Sequence, residues 1–417
     1  MKNNQQLVII DGVRTPFSKM GTSLAPFDAV DLGRSVITNL LTKTGIDPEL
    51  IDETIFGCVS QPAEAANIAR VIALRAGIPK EKPAMTVHRN CASGLEAMTT
   101  ASDRMAAGHG EVFVVGGTES MSRIPLYYSY KAAGKFSRLA RSKDWLSKLS
   151  AMASFRPADF KPVAGLMMGL TDPVAGMNMG QTAELLAREF DISREQQDQF
   201  ALQSHLKAQA ASAALREEMC PVYTDSSKEG FVIGDNGIRE GQTIEALEKL
   251  KPIFERKTGT VTAGNSSQVT DGAVALLVMT EERANKLGLT PLGRLLDHAY
   301  SGCDPERMGL GPAFAIQRMA TASKLKPENA DVTEINEAFA AQVLAVEKLL
   351  LKMKLPLNPK TLNPLGGAIA LGHPVGASGA RLVLTALKQL HSTGGSRALV
   401  SLCIGGGQGG AAWLEKI

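Results

Sequence analysis

The sequence predicts an α/β protein made of two duplicated halves, with a differently composed segment inserted in the first. Three observations lead there. A turn-and-helix unit occurs twice, about 285 residues apart; strand-like and helix-like stretches alternate around both copies; and the middle of the chain changes composition. At 417 residues the chain also exceeds what one hydrophobic core usually serves, so two or three packed units are expected.

In the first copy, Cys91-Ala-Ser-Gly94 leads into a helix with apolar residues at Met98, Ala101 and Met105. Gly108 closes it and the strand E-V-F-V-V-G-G (111–117) follows. In the second, Gly376-Ala-Ser-Gly379 leads into a helix with Leu382, Val383, Leu387 and Leu390, closed by Gly394 and Gly395 and followed by the strand R-A-L-V-S-L-C (397–403). Ser93 and Ser378 stand where an N-cap is wanted, and glycine is a common helix terminator. An earlier pair repeats in the same order: L-T-K-T-G-I-D-P-E-L-I-D-E-T-I-F-G (41–57) and S-K-L-K-P-E-N-A-D-V-T-E-I-N-E (323–337), about 280 apart. So long a period marks a duplicated domain, because solenoid repeats run about 20–50 residues.

The halves are placed at 1–122 and 272–417, with 123–271 as an excursion from the first. That excursion holds Lys131, Lys135, Arg138, Arg141, Lys143 and Lys148 with few acids, then Gly- and Met-rich turns, then the polar helical run E-Q-Q-D-Q-F-A-L-Q-S-H (195–205). Phe136, Leu139, Leu146 and Leu149 fall at roughly helical spacing among the basic residues, so 131–161 reads as a basic helical segment.

Composition excludes several classes. A formal charge of +3 is too balanced for a nucleic-acid binder. Five scattered cysteines make no disulfide framework and suit a reducing compartment. The start, M-K-N-N-Q-Q-L-V-I-I-D-G, has only four consecutive apolar residues, and V-A-G-L-M-M-G-L (163–170) is far short of the ~20 needed to span a bilayer. The expected location is the cytoplasm, with a mature organellar matrix protein as the alternative.

Gly405-Gly-Gly407-Gln-Gly-Gly410 satisfies G-x-G-x-x-G, but only seven residues follow, too few for the helix and ribose-binding acid of a dinucleotide site. No H-E-x-x-H or C-x-x-C occurs, and no metal site is expected. Cys91 is the more informative residue. A free thiol has a pKa near about 8.5, leaving a few per cent thiolate at neutral pH. The helix that follows favours an anion by ~0.3–1 kcal/mol, less than one pKa unit at about 1.36 kcal/mol each. A base is needed. His88 faces the other side of the pleat, and His109, His205, His298 and His391 lie near helix ends or in polar runs. His373, in G-G-A-I-A-L-G-H-P-V-G-A-S-G-A-R (366–381), immediately precedes the second copy of the Cys91 turn. If a pseudo-two-fold axis relates the halves, the two helix N-termini converge and bring His373 toward Cys91, with Cys403 at the end of the following strand. Cys58, Cys220 and Cys303 have no such context and read as structural.

At these residues the sequence resembles the thiolase family. It contains N-C-A-S-G (90–94), G-H-P-x-G-x-S-G (372–379), C-I-G-G-G-Q-G (403–409), N-E-A-F (336–339) and G-N-S-S (264–267), and the likeness runs from V-R-T-P-F (13–17) to the C-terminus. The resemblance implies a five-layered αβαβα core from two similar halves plus an inserted loop domain. It implies reversible thiolysis of 3-oxoacyl-CoA with CoA as substrate and no permanently bound cofactor. Cys91 would be the nucleophile, His373 its activating base, Cys403 the acid/base at the acetyl-CoA methyl carbon, and Asn336 the holder of a water that stabilises the enolate oxygen. Backbone N–H groups of Cys91 and Gly405 would form a second oxyanion hole, and Ser267, Met179, Phe339 and Met308 would line the pantetheine tunnel and acyl pocket.

The activity this implies is a 3-oxoacyl-CoA thiolase of fatty-acid β-oxidation, with a biosynthetic acetoacetyl-CoA thiolase as the near rival. An inactive lipid-binding or scaffold relative would not need Cys91, His373, Cys403 and Asn336 together, and decarboxylating condensing enzymes replace the second cysteine by histidine. The expected partners are acyl-CoA, acetyl-CoA and CoA, with the chain assembled as a homodimer or homotetramer. The basic 131–161 loop resembles that of trifunctional-complex β-subunits, which contacts membrane or the partner α-subunit; those subunits typically carry H-E-A-F where this chain has N-E-A-F.

Overall fold

The computed structural model describes residues 6–225 and 229–417. Its core is built on a mixed sheet that divides into two similar parts. In the first the strand order is Leu7–Arg14, Thr270–Thr280, Val112–Glu119, Glu53–Gly57, Ala84–Val87. In the second it is Gly293–Gly302, Gln408–Glu415, Arg397–Ile404, Val332–Ile335. Reading outward from the seam, both parts pair antiparallel, antiparallel, then parallel. The first adds the parallel pair of Glu53–Gly57 with Ala84–Val87, and the second echoes it with a parallel bridge between Thr333 and Leu362. Among the described residues, only Val8 with Arg294 and Ile9 with Gly293 pair across the seam.

The duplication extends to single hydrogen bonds. The Asp52 carboxylate accepts from the backbone N–H groups of Glu111 and Val112, and Asp331 accepts in the same way from Ser396 and Arg397. Each carboxylate ties one strand start to the next.

Alternation along the strands creates five layers. In Thr270–Thr280, Val274, Leu276 and Val278 face a central core, while Ala273, Ala275, Leu277 and Met279 face an outer one. In Arg397–Ile404, Ala398, Val400 and Leu402 face the same central core and Leu399 an opposite outer one. The central core is filled by the two helices Ser93–Ala106 and Ser378–Thr393, through Leu95, Met98, Met105, Leu382, Val383 and Leu387. Helices Ala29–Thr44 and Ile68–Arg75 cover the first outer face. Helices Gly311–Ser323 and Ala340–Lys352 cover the second. Each large aliphatic side chain so buried contributes roughly 1.5–3 kcal/mol.

The two central helices begin where the repeat places them, but their serines do not cap. Ser93 and Ser378 are the first helical residues, and the preceding Ala92 and Ala377 make no side-chain cap. Instead Ser93 Oγ accepts from Arg89 N and donates to Asn90 O, and Ser378 Oγ donates to Pro374 O. Both hydroxyls fold back and knit the turn ahead of the helix.

Two boundaries differ from the sequence reading. The strand Thr270–Thr280 lies between two strands of the first part, so residues 272–280 close that part and do not open the second. Within 123–271, residues 124–171 form a compact unit of their own and the rest packs with the main body. The 124–171 unit contains helices Tyr130–Arg141 and Trp145–Ala153, with a Lys135–Asp159 ion pair and the clustered rings of Phe136, Phe155 and Phe160.

Candidate active site

Two copies of one turn meet because glycine occupies the meeting point in each. A Cβ on Gly94 would lie 2.8 Å from Ala380 N and 2.9 Å from Gly376 O; one on Gly379 would lie 2.5 Å from Leu95 N. The contacts are reciprocal, since each glycine meets the residue that follows its counterpart. The pseudo-two-fold arrangement expected from the repeat is therefore present, and it places the N-termini of both central helices side by side.

Cys91 sits on the turn before the first helix. The turn is shaped by Asn90 at φ 43°, and its Nδ2 donates to Gly405 O at 2.6 Å, joining it to the turn after Arg397–Ile404. Burial pushes the Cys91 thiol up to about 11, against the opposing pull of the Gly405 backbone N–H and its own. The G-x-G-x-x-G run is the turn of this hairpin, with Gly406 and Gly407 at positive φ.

His373 is buried on the second turn. Because Ser378 Oγ uses its hydrogen on Pro374 O, it accepts from His373 Nδ1–H at 2.6 Å. That fixes the tautomer and leaves Nε2 as the unprotonated, accepting nitrogen, the form a base requires. Nε2 faces Asn336 Nδ2 at 3.4 Å. Burial, with help from the nearby Arg381 cation, lowers His373 to about 4. The Asn336 amide is fully buried, and its Oδ1 has no hydrogen-bond partner among the described residues. Such an orphaned acceptor is a common mark of a functional site.

Cys403 is fully buried in an apolar wall with Met308, Phe339 and Val261, against which Met179 and Phe254 pack. Burial first, then the neighbouring Cys91, raises its thiol well above the ordinary range. Met179 Sδ lies 3.5 Å from where a Cβ on Gly405 would be, so this wall adjoins the Gly405 turn. Ser267 joins through its backbone, donating to Ala338 O at 2.9 Å. The structure thus links the candidates in groups: Cys91 with Gly405 and Cys403, His373 with Asn336, Met179, Met308 and Phe339 around Cys403, and Ser267 with Ala338 of that same wall.

Sequence reasoning passed over Asn90 as a linker and took Ser378 for a cap, although both lie inside the quoted motifs. His205, which the sequence places in a polar run, is buried in the helix Arg194–Ala210, accepts from Arg239 N, and is lowered to about 4, first by desolvation. The polar run that contains it packs against the main body on one face, which its composition hid. No group of three or more His, Cys, Asp or Glu among the described residues is arranged to hold a metal.

The thiolase N-terminal domain model matches residues 7–282 and the thiolase C-terminal domain model residues 289–416. The chain belongs to the thiolase family. This thiolase is 40% identical to an acetyl-CoA acetyltransferase of Cupriavidus necator, covering 98% of the chain and 99% of the relative. It is 37% identical to a 3-ketoacyl-CoA thiolase of Pectobacterium carotovorum, covering 99% and 97%. Its fold matches the crystal structure of human mitochondrial 3-ketoacyl-CoA thiolase in complex with CoA, with a TM-score of 0.87, 36% identity and 99% of both chains covered. A Bacillus anthracis acetyl-CoA acetyltransferase matches with a TM-score of 0.89 at 35% identity over 100% of both chains. This thiolase is accordingly an acyltransferase, and its two family domains divide between 282 and 289, where the strand pairing also places the boundary.

Proposed function

We propose that the protein is a 3-oxoacyl-CoA thiolase of fatty-acid β-oxidation. The observation that carries the chemistry is the pairing of the Cys91 turn with the His373 turn through Gly94 and Gly379, with the His373 tautomer fixed by Ser378. Cys91 sulfur attacks C3 of the 3-oxoacyl group and passes its proton to His373 Nε2. The C2–C3 bond then breaks, leaving the acyl group on Cys91 as a thioester and the electron pair on the acetyl-CoA enolate. Cys403 protonates the methyl carbon. CoA thiol next attacks the Cys91 thioester, giving its proton to the Cys403 thiolate, and the departing Cys91 sulfur takes back the proton held by His373, so acyl-CoA is released and both thiols are restored.

The directions of the shifts fit this order. Burial favours both the neutral thiol and the neutral imidazole, so the resting pair is uncharged. Thiolate forms only as the bond to carbon forms, when the Gly405 N–H and Asn336 amide are aimed at developing charge. A thioester on Cys91 is close in energy to that of acyl-CoA, which keeps the sequence reversible.

Mass spectrometry after incubation with acetyl- or 3-oxoacyl-CoA tests the proposal. Acylation at Cys91 is expected; acylation elsewhere, or none, refutes it. Cys403→Ser is expected to acylate but to lose carbon–carbon bond formation. Similar identity to an acetyl-CoA acetyltransferase favours a second reading, a biosynthetic acetoacetyl-CoA thiolase. Initial rates across acyl lengths separate the two: a rate confined to the four-carbon substrate overturns the β-oxidation role.

The 124–171 unit supports a peripheral membrane contact through 131–161. It carries eight Lys and Arg against two Asp. Trp145, Leu146, Leu149 and Met152 are exposed along one helix, the composition of an interfacial helix. Flotation with anionic vesicles checks this; equal binding by wild type and a Trp145→Ala, Leu149→Ser variant removes the idea.

A further inference from the structure

The turn that carries His373 is held from the other half of the molecule by a buried carboxylate. Glu119 ends the strand Val112–Glu119 and is 1% exposed. Its Oε1 accepts from Ser60 N at 2.8 Å, and its Oε2 accepts from Val59 N at 3.1 Å and Gly376 N at 2.9 Å. Cys58 Sγ lies 3.9 Å from Oε1. Two donors come from a loop of the first half and the third from the turn between His373 and Ser378.

The repeat gives Gly376 its meaning. It stands 285 residues after Cys91, at the position the duplication makes the nucleophile's counterpart. A Cβ there would lie 2.7 Å from Thr118 O, 3.0 Å from Cys58 Cα and 3.1 Å from Glu119 Oε2. A Cβ on Gly117 would lie 1.9 Å from Gly376 O. Where the first copy turns a thiol toward the Gly405 N–H, the second turns a backbone N–H toward a carboxylate. The duplicate of the nucleophile position has become a joint between the halves.

We propose that Glu119 is a positioning residue for the reaction: it fixes the turn between His373 and Ser378 against the half that carries Cys91, and so sets His373 Nε2 relative to the Cys91 sulfur. The inference rests on the reading of His373 as the base for Cys91. Stabilising a thiolate is not what the carboxylate does, because its negative charge opposes one at Cys91. Fixing geometry is, since burying a charge is costly unless it is hydrogen-bonded, and here three backbone donors from two separate turns converge on it.

The test is the pH dependence of Cys91 alkylation by iodoacetamide, mapped by mass, in wild type, Glu119→Gln and Glu119→Asp. Glutamine puts an NH2 donor in place of one of the two accepting oxygens, so the backbone N–H groups on that side lose their acceptor; aspartate keeps the charge but shortens the reach. Both variants are expected to alkylate more slowly near neutral pH, on the order of tenfold to a hundredfold, as for a misplaced catalytic group. Their rates should converge on the wild type as the pH approaches the thiol's own ionisation, where no base is needed. A faster Gln variant with an unchanged Asp variant would show that only charge matters and overturn the proposal. So would rate constants equal to wild type at every pH with a smaller reactive fraction, the mark of a purely structural role. Substrate acylation of wild type is followed in parallel: if Cys91 alkylates with a base-dependent profile but acyl-CoA never acylates it, the thiolase reading fails while the action of Glu119 is still decided.

Discussion

Gly379→Ala places one methyl group at the contact that brings the two turns together. The new Cβ would lie 2.5 Å from Leu95 N and 2.9 Å from Leu95 Cβ, where ordinary contact begins at 3.4 Å. Backbone supplies the nearest atom, so a rotamer change cannot relieve the overlap, and the helices Ser93–Ala106 and Ser378–Thr393 must part by about 0.9 Å. Overpacking of this kind costs roughly 1–3 kcal/mol of stability. The larger effect falls on rate, because His373 and Cys91 ride on opposite sides of the contact, and a shift near 1 Å costs about a hundredfold in a positioned reaction. Steady-state thiolysis of acetoacetyl-CoA, with urea unfolding on the same samples, measures both. A variant with wild-type kcat and a stability loss below about 0.5 kcal/mol would refute the idea that this close approach sets the site.

Asn336→Ala removes the donor facing His373 Nε2 and the buried orphan oxygen, and should lower kcat by roughly 10²–10³ with little change in KM for CoA; a loss confined to KM would mean a binding role instead. His205 and His373 are both held near 4 by burial, below their ordinary 6.5. Because the folded value is depressed, their contribution to stability is complete above pH 6.5 and is lost as the pH falls through 4, on the order of 3 kcal/mol each. Urea midpoints measured between pH 4 and 7 should therefore fall less steeply for His205→Gln than for wild type, and parallel curves would contradict this. Arg14 is fully buried, paired with Glu218 at 2.9 Å and with Asp235 at 2.7 Å. Arg14→Met leaves two buried carboxylates without their cation and should cost about 3–5 kcal/mol in urea unfolding, whereas a loss under 1 kcal/mol would show that they protonate or relax freely.

Sequence alone determined the duplication and the two central helices, and it singled out the residues proposed to carry the chemistry. Periodic apolar positions such as Leu382, Val383 and Leu387 must face a core, and a glycine-rich turn repeated 285 residues later must be the same turn used twice. The half boundary was less legible, because an apolar strand reads alike whichever sheet it joins, and only pairing assigns Thr270–Thr280 to the first part. Hydrogen-bond direction was not legible at all. A serine before a helix reads as a cap, and only the tertiary structure shows Ser378 giving its hydrogen to Pro374 O and so setting the His373 tautomer. Glu119 illustrates the same limit most sharply. Its sequence context is the end of a strand, while its partners, Val59, Ser60 and Gly376, lie as far as 257 residues away. Side-chain periodicity is a local property and survives in sequence. The convergence of donors on one buried carboxylate is a property of packed loops, which the fold alone decides.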